Sequence, residues 1–75
     1  MKCLYEEKTG ETVYSLFEEG ETPKTYGISV KDRNDLSEIH DITTIYQKAY
    51  EIYETLVRNT VSPLQTGYII SDLIS

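Results

Sequence analysis

A histidine beside a carboxylate is the first place to look for chemistry in this 75-residue chain, and His40-Asp41 is the only such pair. An imidazole held by an acid can act as a general base near neutral pH. Neighbours in an extended strand project to opposite faces, however, so the two side chains need not touch. No motif supplies a nucleophile. Cys3 is the single thiol. A reactive thiol needs exposure and a lowered pKa, whereas its apolar-leaning surroundings predict a small buried hydrophobe. One cysteine and one histidine exclude an intrachain disulfide and a Cys/His zinc site. The Asp32-Arg33-Asn34-Asp35 stretch lacks the glycine and distal glutamate of a calcium loop. Glycines 10, 20, 27 and 67 are isolated, so no phosphate-binding loop exists. The sequence therefore predicts no catalytic residue, no cofactor and no metal.

Tyrosine is the other conspicuous chemistry, with seven copies in the chain. Tyr46, Tyr50 and Tyr53, continued by Val57, fall on one side of a predicted helix. They lie beside a second stripe of Ile45, Ala49, Ile52 and Leu56. Together the stripes cover more than half of the helix circumference. A sheet can bury one side of such a helix; the other must meet the last helix or a second chain. Tyrosine combines apolar area with a polar tip and is enriched at protein interfaces. Tyr46, Tyr50, Tyr53, Val57 and Tyr68 are accordingly the candidate interface residues.

Charge narrows the partners. Thirteen acids against seven bases give a net charge of −6. That balance opposes direct nucleic-acid binding, which needs clustered Lys and Arg to displace counterions, and opposes anionic membrane surfaces. Glu6, Glu7, Glu11, Glu18, Glu19 and Glu21 gather around the first two strands. A charged edge of that kind ordinarily blocks strand-to-strand aggregation; its sharper alternative is a docking surface for a basic protein. No run of about 18 apolar residues predicts a membrane span. The stretch Met1–Glu7 lacks the apolar core of a signal peptide, so a reducing cytoplasm is expected.

The elements that must position these residues change period midway. Residues 2–8 and 12–18 read as strands separated by the turn signal Thr9-Gly10-Glu11. The polar EEGETP stretch, 18–23, is a break. In Thr25–Lys31, Tyr26, Ile28 and Val30 alternate with Thr25, Gly27, Ser29 and Lys31, which places one apolar face on a core. Asp32–Asp35 is a turn, and Leu36–Ile42 is a candidate fourth strand. Thr44-Ile45-Tyr46-Gln47 fits a capping box, Glu54 and Arg58 sit in the favourable i, i+4 order, and Asn59 is a stop. Ser62-Pro63-Leu64-Gln65 starts a second helix, with Tyr68, Ile69, Ile70, Leu73 and Ile74 as its buried side. Gly67 and the β-branched pair Ile69-Ile70 leave a strand open over 64–74. The expected architecture is a single α+β domain over residues 1–75. It is a small antiparallel meander of three to four strands, followed by two C-terminal helices on one face.

Several short motifs carry a resemblance. Tyr26-Gly27-Ile28, Asp41-Ile42-Thr43, Ser62-Pro63-Leu64 and Ile70-Ser71-Asp72-Leu73-Ile74 resemble a family of small uncharacterised proteins from clostridia and related Gram-positive bacteria. The resemblance covers roughly the last two-thirds of the chain and implies a small bacterial α+β fold without assigned catalytic residues. The first helix departs from it in carrying tyrosines where charge is expected. Three functions are compatible with these features. The leading one is a non-enzymatic protein-protein interaction module, able to self-associate as a homodimer. The others are an acidic regulator or decoy docking on a basic nucleic-acid-binding protein, and a small enzyme or ligand-binding domain using His40 and Asp41.

Overall fold

Alternation builds the first half of the molecule. In the computed structural model, which describes residues 1–74, four strands run β1 (Lys2–Thr9), β2 (Thr12–Glu19), β3 (Thr25–Lys31) and β4 (Leu36–Thr43). They form one antiparallel sheet in the order β1-β2-β3-β4. Helices α1 (Tyr46–Arg58) and α2 (Pro63–Ile74) follow. The segment left open between helix and strand is thus helical, and the α+β meander with two C-terminal helices is the observed fold. The strands extend slightly further than the sequence indicates: β2 reaches Glu19 and β4 reaches Thr43.

Turn chemistry sets the register. Gly10 takes a positive φ of 63° in the two-residue connection between Thr9 and Thr12, a conformation glycine adopts without Cβ strain. The β3–β4 turn is closed by Asp32, whose Oδ1 accepts from the Asn34 and Asp35 amides at 2.9 and 2.7 Å. Short local connections of this kind give the meander its simple order.

The core lies between one sheet face and the helices. Tyr14 and Leu16 from β2, with Tyr26, Ile28 and Val30 from β3, meet Ala49, Ile52, Tyr53 and Leu56 of α1. Val61 and Ile70 complete it. Tyr14 also donates its hydroxyl to the Val61 carbonyl at 2.9 Å, satisfying a buried polar group and tying β2 to the link between the helices.

The helix ends differ from expectation. No capping box forms at Thr44–Gln47. Ile45 occupies the N-cap position without a side-chain cap, and the Thr43 hydroxyl accepts from its amide at 3.1 Å. Gln47 instead bonds forward to Glu51. Ile45, expected on the buried stripe, is therefore exposed at the helix start. At the other end Asn59 is the C-cap, as its residue type predicts. Thr60 follows with φ 47°. The Thr60 amide bonds to the Val57 carbonyl and the Val61 amide to the Leu56 carbonyl, both at 3.1 Å. This is a Schellman closure, with Val61 and Leu56 both in the core. The α2 start uses the Ser62 carbonyl, which accepts from the Gln65 and Thr66 amides and from the Thr66 hydroxyl.

α2 buries only part of the side predicted: Ile70 is in the core and Ile69 packs half-buried against it. Pro63, Thr66 and Ile70 face inward. Tyr68, Leu73 and Ile74, expected in the core, are exposed. Apolar residues from Leu64 to Ile74 lie all around the helix, so apolarity alone does not choose its buried side.

Candidate functional site

The sheet has a second face, and the cross-strand register specifies its rows. Directly paired residues share a face. One row is therefore Lys8, Val13, Lys31 and Leu36; the next is Glu6, Ser15, Ser29 and Glu38. A third holds Cys3, Phe17 and Gly27. Phe17 is almost fully buried although it lies away from the helices. Its ring lies over Gly27, where any Cβ would collide with it and would sit 2.6 Å from the Ile39 carbonyl oxygen. A glycine under an aromatic is the arrangement that lets a ring cover a bare backbone.

His40 closes this row. Its ring packs on Phe17 with centroids 5.2 Å apart. Nδ1 lies 2.9 Å from a Glu19 carboxylate oxygen and Nε2 lies 2.8 Å from Glu38 Oε1. A neutral imidazole has one N–H, so both contacts are hydrogen bonds only when the ring is protonated. The Glu19 hydrogen bond is the leading cause that raises the His40 pKa above its ordinary value; partial desolvation opposes it, and the charges of Glu19 and Glu38 add to the rise. Its sequence neighbour Asp41 is not engaged by the ring, as expected for adjacent residues of a strand. It takes a left-handed φ of 54° at the point where the β3–β4 register shifts. The two glutamates sit on opposite ring nitrogens and do not converge on one point. Among the described residues, no group of three or more His, Cys, Asp or Glu side chains is placed to hold a metal ion.

Cys3 corrects a sequence expectation. It is exposed rather than buried, because β1 is an edge strand and Cys3 belongs to the face without helices. With Phe17, Ser15, Ser29, Glu38 and Met1 it borders a groove of about 330 Å³. Its thiol donates to the Tyr5 carbonyl at 3.4 Å.

The tyrosines gather on the other side of the sheet. Tyr5 of β1 reaches over α1, with its ring 5.4 Å from Tyr50 and 6.1 Å from Tyr53. Its hydroxyl shares a 2.6 Å hydrogen bond with the Tyr46 hydroxyl. Tyr46 also stacks on Tyr50 and meets Tyr26 edge-on. The Tyr5 hydrogen bond, with burial second, pushes the Tyr46 pKa up to about 12. Burial, reinforced by the Glu7 charge, raises that of Tyr53. Of the candidate interface residues, Tyr53 is completely buried, Tyr50 and Val57 are half-buried against the core, and Tyr46 is 39% exposed. The structure thus groups Tyr46, Tyr50 and Tyr53 and sets Tyr68 apart on α2, where it is 79% exposed.

The outer side of α2 is what the sequence pattern did not separate from its inner side. Leu64, one turn before Tyr68, is 72% exposed. Asp72 is the only charged residue in the 12-residue helix. By contrast α1 displays Lys48, Glu51, Glu54 and Arg58, with Glu54 and Arg58 paired at 3.7 Å. The signal available in sequence was this scarcity of charge in α2.

The model of a family of unknown function, DUF6514, matches residues 2–75. The chain belongs to that family. No curated protein and no solved structure matches it. Membership in DUF6514 agrees with the resemblance to small uncharacterised proteins and assigns no activity. Among the described residues no helix is long and apolar enough to cross a membrane.

Proposed function

We propose that this member of DUF6514 is a non-enzymatic protein-binding module whose contact surface is the outer side of α2. One observation carries the proposal: Leu64 and Tyr68 stand 72% and 79% exposed on a helix with a single charged residue. Scattered surface hydrophobics are ordinary. A large aliphatic and an aromatic side chain, one helical turn apart on an almost uncharged helix, form the centre of a docking patch. Apart from Asp72 the charged residues of this acidic chain all lie outside α2, while other exposed hydrophobics such as Leu36 and Ile45 stand elsewhere on the surface.

The test is affinity capture from the native host with the wild type and with Leu64→Ser/Tyr68→Ser. Both positions face solvent, so circular dichroism is expected to report an unchanged fold. A protein retained by the wild type and lost with the double variant supports the proposal, whether that protein is a different chain or a second copy of this one. Equal retention by both, or no retained protein at all, overturns it.

A further inference from the structure

The sheet face without helices carries its charges in rows. Toward the hairpin turns, Lys8 and Lys31 flank Val13 in one row. In the next row Glu6 and Glu38, on the two edge strands, flank Ser15 and Ser29. Small side chains at the centre of that row and long ones at its margins make the groove of about 330 Å³ that reaches Phe17 and Cys3. The basic row borders a second hollow of about 350 Å³, which Glu11, Asp32 and Arg33 complete at the turns.

Most charges around these hollows are matched within the chain. Glu11 pairs with Arg33, Asp32 accepts from the amides of its own turn, and Glu19 and Glu38 hold His40. Glu6, Lys8 and Lys31 are exposed and enter no ion pair among the described residues. Glu6 and Lys8 stand two apart on one strand face and still do not pair.

We infer that this face is a docking surface for an extended segment of a partner protein that carries a lysine or arginine two residues from an aspartate or glutamate. The cation seats between Glu6 and Glu38, and the acid seats between Lys8 and Lys31. Alternate residues of an extended chain share a side and lie about 6.6 Å apart, and the same repeat separates the two rows of the sheet. A segment lying along β2 therefore sets both charges over both rows at once, in either chain direction. The Ser15 and Ser29 hydroxyls can accept from the cation, and Phe17 offers its ring to the aliphatic stem. A polybasic segment would bring a second cation onto Lys8 and Lys31. An acidic one would bring carboxylates onto Glu6 and Glu38, so like charges select against both. This surface lies across the sheet from the helices and is independent of the contact proposed for Leu64 and Tyr68.

The probe is the capped peptide Thr-Thr-Lys-Thr-Glu-Thr-Thr, titrated to about 10 mM against isotope-labelled protein at low salt, with amide shifts read by NMR. Saturable shifts centred on Ser15 and Ser29 are expected. Binding should be at least about tenfold weaker for Glu6→Lys protein and for a peptide in which the glutamate is also lysine. A peptide with the two charges adjacent should be weakened likewise, because they then fall on opposite sides of the extended chain. Circular dichroism is expected to show Glu6→Lys folded as the wild type, and Lys8→Glu makes the same test from the other row. No saturable shift, equal binding of the two-lysine peptide, indifference to both substitutions, or shifts centred on α2 overturns the inference. So does movement of the Ser15 and Ser29 signals on diluting the protein alone, which would place a second copy on this face. The α2 proposal is decided separately, by capture with Leu64→Ser/Tyr68→Ser.

Discussion

His40 donates from both ring nitrogens only while it carries its proton, and its two acceptors come from different strands. Glu19 stands on β2 and Glu38 on β4, so the imidazolium spans β3 above Phe17 and Gly27. Glutamate contacts raise its folded pKa above the unfolded value of 6.5. The contribution to stability is then fully present below that unfolded value and is lost as pH rises through the folded one. As the only histidine in the chain, it gives one imidazole signal by NMR. That signal is expected to titrate above the ordinary range, with Glu19→Gln lowering the midpoint more than Glu38→Gln. A midpoint at or below 6.5 in the wild type would contradict the geometry. The clamp was half legible in sequence: Glu38 and His40, two apart in a strand, share a face. Glu19 entered only through pairing of β2 with β3 and of β3 with β4.

At the scale of the element, two positions have backbone demands that make opposite predictions. Thr60 closes α1 in the left-handed region at φ 47°, where a β-branched residue is strained by about 1–2 kcal/mol. Replacing it with glycine relieves the Cβ contact while adding freedom to the unfolded chain. Thr60→Gly is expected to gain about 0.5–1 kcal/mol in urea unfolding. Gly27→Ala should lose about 1–3 kcal/mol, because the new Cβ meets the Phe17 ring and the Ile39 carbonyl oxygen, a backbone atom that cannot turn aside. Neither demand can be read from residue type alone. Asn59 was a readable helix stop, yet the left-handed position falls one residue later, set by the Val61 and Leu56 contact that closes the turn. The capping box failed for a related reason. Chain direction out of β4 places Ile45 at the N-cap, so the hydroxyl that reaches its amide belongs to Thr43.

At the scale of the molecule, charge and size act together. The described residues extend 35 × 25 × 17 Å, and the chain carries a net −6. At about 0.01 M salt the screening length is roughly 30 Å, long enough for acids on β1 and β2 to repel across most of the molecule; near 0.15 M it is about 8 Å. Thermal unfolding of the dilute protein should therefore shift upward as salt rises through this range. A midpoint that falls would mean that attractive pairs such as Lys24–Glu18 and Arg33–Glu11 outweigh the net repulsion.

Local periodicity by itself determined the order of strands followed by α1, the apolar face of β3 and the α1 stripe of Ala49, Ile52 and Leu56. Each of these follows from a repeat of two or 3.6 residues that has one consistent solution. It did not determine which side of α2 faces inward, because Leu64, Tyr68, Ile69, Ile70, Leu73 and Ile74 surround that helix with apolar atoms. Nor did it determine that Tyr5 would cover the tyrosines of α1, or that Cys3 would face outward. Those outcomes depend on strand register, on the edge position of β1, and on how the turn at Asn59–Val61 aims α2 across β4. Tertiary packing decided them, and in doing so it left Leu64, Gly67 and Tyr68 on the outside.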